Sequence, residues 1–452
     1  MKKVRAFFAI LLGKAVKLFC KIVNKGGTAM PGRLALKLYP ELLAYMAKDV
    51  SCIVVTGTNG KTSSCRMVEE GFRQAGLDYL ANVSGANLIE GITTDFIANS
   101  DLGGKCRKKW AVLETDEAAS REVCRQLQPK VVFVTNIFVD QVDRFGGVKN
   151  TRDWILSGAK NAPDAILCLN ADDSVSASIA KLCDNRTVFY GFEESAMDGR
   201  APGGSSDVED CVFCGETLGM SYRSFSHLGG FSCPGCGYAR PAADYSVSEI
   251  CTENFKGTEF ILNGEKVRVN LPALYNVYNA CGAIAALESA GISHEDAVRA
   301  MDVFKGSFGR MEQLNLGKQG TTMILVKNGA GCDQVLTFLA KEEEPFVLSI
   351  YLNNNISDGQ DISWLEGVDF ESLKSTPVSK IYVSGMRTEE MYARLVKAGL
   401  EDRLIKEPNC GSLITELGKS ELPVIILPTY TGMMETRTEI IRRCGGEQFW
   451  EL

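Results

Sequence analysis

Val54-Val55-Thr56-Gly57-Thr58-Asn59-Gly60-Lys61-Thr62-Ser63 decides how the rest of the chain reads. Ile53 to Val55 is an apolar run of the kind a buried parallel strand carries. A turn with two glycines follows, then Lys-Thr-Ser, then a helical pattern from Cys65 to Ala75. Strand, turn and helix in that order build an anion site. The glycines let backbone N–H groups converge, and the helix N-terminus adds partial positive charge. Lys61 can reach the terminal phosphates of a nucleotide, and the Thr62 hydroxyl can ligand Mg²⁺. The commonest phosphate loop has glycine six residues before its lysine; this chain has Val55 there.

The whole chain bounds the answer. Its 452 residues leave room for two to four domains. A hydrophobic share of 45% with 23% charged residues fits a soluble globular protein. A net charge of −7 argues against nucleic acid as a partner. Most of the 16 cysteines stand singly in apolar runs, as at Cys52, Cys168 and Cys281, which predicts reduced core residues and a cytoplasmic setting. The N-terminal stretch Met1 to Asn24 is basic and apolar, with Lys14, Lys17 and Lys21 on one helical face. No run there is long enough to cross a bilayer. Two readings stay open: a helix lying on an anionic membrane surface, or a helix packed on its own domain.

Downstream of the loop, strand candidates at Trp110–Glu114, Val131–Asn136, Ala165–Asn170 and Thr187–Tyr190 alternate with helical patterns at Ala118–Leu127 and Thr151–Ala159. Repeated βαβ units predict an α/β fold with a mostly parallel sheet, whose ligands sit at the carboxyl ends of the strands. Three polar clusters fall at such ends: Glu114 to Glu117, Thr135-Asn136 with Asp140, Gln141, Asp143 and Arg144 behind it, and Asn170 to Asp173. A carboxylate at Glu114 can hold Mg²⁺ between phosphates. Asn170 and Asp173 are candidates for a base or ribose. Each cluster alone could equally be a helix cap.

Cys211-Val212-Phe213-Cys214 and Cys233-Pro234-Gly235-Cys236 are two C-x₂-C knuckles 18 residues apart. That spacing predicts a four-cysteine zinc ribbon, structural because four ligands fill the site. His227 lies between the knuckles, and a surface position is expected for it. After the ribbon come strands at Phe260–Leu262 and Lys266–Val269, the segment Tyr275-Asn276-Val277-Tyr278-Asn279, an Ala-rich helix to Ala290 and a second helix over His294–Phe304. Phe308-Gly309-Arg310-Met311-Glu312 marks a boundary, and a smaller α/β domain follows, with strands at Thr322–Val326, Phe346–Leu352, Lys380–Val383 and Val424–Leu427. The expected division is 1–48 as a helical lead-in, 49–308 as the nucleotide domain with the ribbon inserted near 205–240, and 309–452 as the last domain.

These motifs coincide with a known family. Gly57-Thr58-Asn59-Gly60-Lys61-Thr62-Ser63 resembles the ATP loop of Mur ligases and folylpolyglutamate synthases. Asn276 and Asn279 resemble their asparagine motif, and Phe308 to Glu312 their arginine motif. The ribbon, Lys327-Asn328-Gly329-Ala330-Gly331 and Asp358-Gly359-Gln360-Asp361-Ile362-Ser363-Trp364 make the chain more narrowly similar to the MurT family, the ligase-like subunits of the MurT/GatD lipid II isoglutaminyl synthases. Two departures stand out. Ordinary Mur ligases carry histidine where Gln141 stands, so metal binding there is not expected. MurT-like chains commonly have proline where Gly329 stands, which should loosen that turn.

The resemblance implies ATP-dependent amidation of the α-carboxylate of D-glutamate in the stem peptide of lipid II, or a related precursor, through an acyl phosphate. Lys61 would then bind the β/γ-phosphates, Thr62 and Glu114 the Mg²⁺, and Asn276 and Arg310 the nucleotide. With only two histidines, neither near a suitable cysteine, the chain shows no glutaminase of its own. The resemblance therefore implies a heterodimer with a GatD-like glutaminase, in which Asp361, or else Asp358, completes the partner's catalytic group. Either aspartate could instead cap the turn before Trp364. The implied setting is cytoplasmic, peripheral to the inner face of a membrane if the N-terminal helix docks there. Rival readings are a stand-alone Mur or folylpolyglutamate ligase, an inactive scaffold for a glutaminase, and a zinc-ribbon protein that binds nucleic acid through Arg223, Arg240 and the Lys105 to Lys109 tract.

Overall fold

The apolar run Ser51–Thr56 forms β1, buried at every residue but its first. The computed structural model describes residues 2–22, 28–82, 86–139, 147–198, 206–254, 257–304, 306 and 310–445. β1 lies inside a nine-stranded sheet, flanked in parallel by β3 (Trp110–Glu114) and β4 (Val131–Val134). β2 (Tyr79–Ala81) lies outside β3; β5 (Ile166–Asn170) and β6 (Thr187–Phe192) lie outside β4. The chain thus leaves β1 toward one edge and returns on its other side. The β1–β4 seam is the topological switch point, where neighbouring loops diverge and leave a crevice.

Alternation along the strands supplies two cores. Ile53 and Val55 face one, with Phe72 and Val277 from the helices Lys61–Gln74 and Leu274–Ala290. Cys52 and Val54 face the other, with Ile92 of Ile89–Asn99 and Val123 of Glu117–Leu127. A two-residue period on one strand therefore needs helices on both faces. Cys52, Cys168 and Cys281 are fully buried, and burial pushes the Cys52 and Cys168 thiols up to about 12. The N-terminal helices Lys2–Ile22, Met30–Leu38 and Leu42–Ala47 join the second core through Ala6, Ile10, Ala35 and Leu42.

β7 (Gly219–Phe225) and β8 (Leu228–Ser232) form a separate two-stranded sheet between the two cysteine knuckles. β9 (Tyr245–Asn254) then rejoins the large sheet parallel to β6, and β10 (Gly257–Leu262) and β11 (Glu265–Val269) complete that edge antiparallel. A second sheet follows in the order β12 (Arg310–Leu314), β13 (Thr321–Ile324), β17 (Val424–Pro428), β14 (Phe346–Tyr351), β15 (Val378–Ser384) and β16 (Leu404–Lys406). All its pairings are parallel except β12 with β13.

Some boundaries differ from expectation for identifiable reasons. β4 stops at Val134, because Thr135 and Asn136 turn to serve the neighbouring loop. The next helix after β3 starts at Glu117, because the Asp116 carboxylate accepts from the Ala118 N–H at 3.0 Å and caps it.

One carboxylate ties sheet, ribbon and Ala-rich helix together. Asp172, fully buried just past β5, accepts from Arg240 Nε at 2.6 Å, Tyr278 Oη at 2.5 Å and the Phe192 N–H at 2.9 Å. Burial raises its carboxyl pKa against the pull of Arg240. In Arg240→Met burial loses that opposing charge and is resisted by the Tyr278 and Phe192 hydrogen bonds. The folded variant then holds a proton that the unfolded chain, with an aspartate pKa of about 3.9, releases. Its stability is greatest below that value and falls as pH rises toward neutrality, by roughly 3 kcal/mol. Urea midpoints at about pH 5 and about pH 8 should therefore separate more for Arg240→Met than for the parent chain.

Candidate active site

The loop leaving β1 is stapled to the segment leaving β4. The Thr58 N–H donates to Asn136 O at 2.8 Å, and the Thr135 N–H donates to Thr56 O at 2.9 Å. Asn136 grips Asn59 twice: its Oδ1 accepts from the Asn59 N–H at 2.9 Å, and its Nδ2 donates to Asn59 O at 3.1 Å. The Thr135 hydroxyl adds a bond to Asn59 O at 2.7 Å, and the Thr58 hydroxyl accepts from the Phe138 N–H at 3.1 Å. The two glycines are required here. Gly57 has φ +121°, and a Cβ on it would meet Thr135 Oγ1 at 2.4 Å; Gly60 has φ +82°, and a Cβ on it would meet Asn279 Oδ1 at 2.4 Å. Gly60 caps the helix Lys61–Gln74, which turns the helix N-terminus toward the loop as an anion site requires, while the Thr58 and Asn59 N–H groups are spent on Asn136.

Thr58, Asn59, Gly60, Lys61, Thr62 and Ser63 line a cleft of about 420 Å³. Glu114 enters it from the end of β3, and Asn276 and Asn279 from the start of the Ala-rich helix. Across it stand Val326, Lys327, Asn328, Gly331 and Asp358 from the second sheet's connections. Lys61 is turned back on its own loop. Its ammonium donates to Gly57 O, to Thr58 O at 3.2 Å and to Glu117 Oε1 at 2.9 Å. Glu117, not Glu114, is the carboxylate paired with the lysine. Asn276 is buried, and its Nδ2 donates to Pro272 O at 2.6 Å. Asn328 caps the helix Gly329–Leu339 by accepting from the Gly331 N–H at 2.9 Å, so an asparagine cap holds the turn that lacks proline.

Several expected residues lie elsewhere. Asn170 and Asp173 are fully buried and do not line the cleft. Asn170 Oδ1 accepts from the Asp172 N–H at 3.0 Å. Asp173 caps the short helix Ser174–Ser178 and accepts from the Ile137 N–H at 2.7 Å. With their polar atoms spent on the fold, neither is placed to read a base or ribose. His227 is not on the surface: it is 2% exposed, tilted against Phe138 at 4.6 Å between centroids, with Nε2 3.3 Å from Asp173 Oδ1. The β7–β8 ribbon folds it inward against the end of β5. Arg310 begins β12, but its side chain lies outside the described residues, as do Asp140, Gln141, Asp143 and Arg144.

The four ribbon cysteines converge. All the Sγ atoms of Cys211, Cys214, Cys233 and Cys236 lie within 4.8 Å of one another, and the pairs 211–236 and 214–233 are 3.6 and 3.4 Å apart. Four thiolates around a tetrahedral ion with metal–sulfur bonds of about 2.3 Å stand roughly 3.8 Å apart, so the cluster fits a metal ion. Near the second sheet, Asp358 accepts from the Thr431 N–H and hydroxyl, both at 2.6 Å, and from the Asn355 N–H at 2.9 Å. Asp361 is exposed and outside the cleft. It accepts from the Ser363 N–H at 2.8 Å and hydroxyl at 2.9 Å, which hold its carboxyl below the usual carboxylate range.

Asn136, Glu117 and Asn279 fall within the polar clusters and the asparagine motif of the sequence, which assign none of them a role of its own. Each had a signal. Asn136 lies two residues past a buried strand, Glu117 lies three residues from Glu114, and Asn279 lies three from Asn276, within one helical turn.

Fold and cleft together define a Mur-type ligase. The chain superposes on MurF from Acinetobacter baumannii with TM-score 0.67 at 18% identity, over 91% of this chain and 80% of the other. It superposes on the pseudomurein peptide ligase type C from Methanothermus fervidus with TM-score 0.62 at 21% identity, over 87% and 79%. Residues 55–214 match the Mur ligase middle domain and residues 325–433 the MurT ligase C-terminal family. The chain is 30% identical over 436 residues to the lipid II isoglutaminyl synthase (glutamine-hydrolyzing) subunit MurT of Streptococcus pneumoniae (strain ATCC BAA-255 / R6), covering 96% of each chain. It is 29% identical over 452 residues to the subunit of the same name from Staphylococcus aureus (strain COL), covering 98% of this chain and 100% of that one. The chain belongs to the MurT family. Membership among the Mur ligases implies ATP and Mg²⁺.

Because Asn136 holds both backbone groups of Asn59, Asn136→Ala should free the loop without emptying it of lysine. Nucleotide affinity, read by calorimetry, should fall about tenfold, the equivalent of one or two net hydrogen bonds.

Proposed function

We propose that the chain is the synthetase subunit of a two-chain lipid II isoglutaminyl synthase. It is an ATP-dependent carbon–nitrogen ligase. The γ-phosphoryl group of ATP passes to the α-carboxylate of D-glutamate in the stem peptide, giving an acyl phosphate and ADP. Ammonia then adds to the acyl carbon and phosphate leaves, giving D-isoglutamine. The observation that carries this reading is the cleft, which places the Gly57-to-Ser63 loop opposite Lys327, Asn328 and Asp358 of the MurT-type C-terminal segment.

The residues fit the task, which is positioning and charge neutralisation more than covalent chemistry. The N–H groups of Gly57, Gly60, Lys61 and Thr62 would cradle phosphate, those of Thr58 and Asn59 being spent on Asn136 to shape the loop, and Ser63 closes the cradle on the helix side. Lys61 exchanges Glu117 for the β/γ-phosphates. Thr62 and Glu114 would hold Mg²⁺, which supplies charge neutralisation at the transferring group. Asn276 and Arg310 orient the nucleotide. The 49–308 and 309–452 segments act as the two jaws of this cleft. The four-cysteine cluster holds Zn²⁺ in a structural role, because four thiolates leave no open position.

The nucleophile has to be delivered. Ammonia in neutral water is mostly ammonium, which has no lone pair to attack with. A GatD-like glutaminase forming a heterodimer with this chain would supply it. Asp361 suits the role of completing that partner's catalytic group. It is exposed, ionised and outside the cleft, whereas Asp358 already has three donors and lines the cleft. A lipid-linked acceptor places the complex in the cytoplasm, peripheral to the inner membrane face.

Two substitutions separate the half-reactions. With partner, glutamine, ATP and lipid II supplied, Lys61→Ala should lower amidation at least about 100-fold whether glutamine or ammonium is the nitrogen source. Unchanged amidation would make the chain a scaffold. Asp361→Asn should abolish glutamine-driven amidation while ammonium-driven amidation persists; if both persist, Asp361 has no part in the partner's chemistry. For the ribbon, metal analysis should find about one zinc ion per chain, lost in Cys214→Ser/Cys236→Ser together with a lowered melting temperature.

A further inference from the structure

The N-terminal helix Lys2–Ile22 buries one face and leaves the opposite face bare. Its buried residues, Ala6, Ala9, Ile10, Gly13 and Cys20, fall on one side of the wheel at about 100° per residue. Centred on the other side are Val4, Phe8, Leu11, Leu18, Phe19 and Ile22, all exposed, Phe19 at 63% and Ile22 at 73%. A surface helix normally turns its apolar stripe inward; this one meets its domain through small residues and turns the bulky ones outward. The neighbouring helix Met30–Leu38 adds exposed Met30 and Leu38.

Charge says what covers this face. The helix KKVRAFFAILLGKAVKLFCKI contains no aspartate or glutamate. Lys14 is tied to Ser100 O at 2.6 Å. Lys2, Lys3, Arg5, Lys17 and Lys21 have no carboxylate partner among the described residues, on a chain whose net charge is −7. Lys3, Lys17 and Lys21 flank one border of the apolar stripe, and Arg5 flanks the other. A broad apolar face edged with unpaired cations matches an anionic lipid surface: side chains enter the acyl boundary while the cations meet headgroups. A second copy of the same face would instead bring like charges together. Among the described residues no helix is long and apolar enough to cross a membrane, so the contact is a surface one.

We propose that the solvent-facing side of this helix docks the protein flat on an anionic bilayer, which brings the cleft to a lipid-linked acceptor. This rests on the functional reading above for the acceptor, but the surface itself does not need it.

The test is flotation of the full chain, with its glutaminase partner, on phosphatidylglycerol/phosphatidylcholine vesicles. The protein should float with anionic vesicles and stay behind with pure phosphatidylcholine. Phe8→Asp/Leu18→Asp should lower the bound fraction about tenfold or more, and Lys17→Glu/Lys21→Glu should lower it in a salt-sensitive way. Near-ultraviolet dichroism should match the parent; the lysine pair, neither member of which is among the helix's buried residues, serves if the first variant unfolds. No flotation of the parent, equal flotation on neutral vesicles, or flotation indifferent to both variants overturns the proposal. So does a dimer, seen by light scattering, that Phe8→Asp/Leu18→Asp breaks. Amidation separates this failure from that of the functional reading. Both variants should lose activity on lipid II in anionic vesicles and keep it on a lipid-free stem-peptide acceptor. Flotation without amidation of either acceptor by the parent would leave the docking face standing and remove the activity.

Discussion

The grip of Asn136 and Thr135 on Asn59, across the β1–β4 seam, is the constraint on which the site depends. A phosphate loop works best if its backbone is ordered before the anion arrives, because ordering it afterwards would cost conformational entropy at every residue. Here that ordering comes from the neighbouring strand end. Six hydrogen bonds run between Thr56–Asn59 and Thr135–Asn136 through backbone N–H and side-chain groups, from 2.7 to 3.3 Å. The absence of glycine at position 55 then has a plain cause. Val55 is still inside the sheet, paired with Glu114 of β3 and Phe133 of β4, and it packs into the core. The loop proper begins at Gly57, two residues later, and the wall it leans on is the end of β4.

The same register explains which parts of the site could be read from the chain. Continuous apolar runs at 53–55, 110–113 and 131–134 each form a buried parallel strand, because strands covered on both faces have no polar alternate positions to blur the pattern. The cysteine knuckles were legible for a different reason: thiolate spacing is fixed by the ion, not by the fold around it. The helix Ile89–Asn99 was not legible. Thr93, Thr94 and Asp95 lie in its middle and are all buried, so its pattern is neither amphipathic nor apolar. The threonines are tolerated because their hydroxyls bond back to Ile89 O and Glu90 O at 2.7 and 2.9 Å, and Thr94 also takes the Gly32 N–H.

Asn170 and Asp173 show where strand-end reasoning runs out. A polar residue after a parallel strand faces the ligand only if the next segment leaves room. After β5 the ribbon descends onto the strand end: Tyr238 Oη donates to Ser174 O at 2.6 Å, Arg240 reaches Asp172, and His227 meets Asp173. The insert thus turns what would be a ligand-facing edge into an interior polar network. Buried polar groups are tolerable only when they find partners, and Asp172 finds a guanidinium, a phenol and a backbone N–H. Nothing within 170–173 announces this, because the covering residues lie more than fifty positions later.

The lysine makes the last link between this scaffold and its chemistry. Lys61 has two backbone carbonyls and the Glu117 carboxylate around its ammonium, at 14% side-chain exposure for the lysine and 10% for the glutamate. A half-buried ammonium without such partners would be strongly disfavoured, so the glutamate keeps the charge in place in a largely dry site. A phosphate entering the cradle competes for the same ammonium with more charge and more acceptor atoms. Once displaced, Glu117 would be a free carboxylate at the start of its helix, three residues from Glu114 and lining the same cleft as Thr62. An extra negative charge beside bound phosphates is unfavourable unless a cation joins it. On the roles proposed for Lys61 and Glu114, exchange of Glu117 for phosphate on the lysine would couple nucleotide entry to a demand for a divalent ion at the carboxylates of the β3 end.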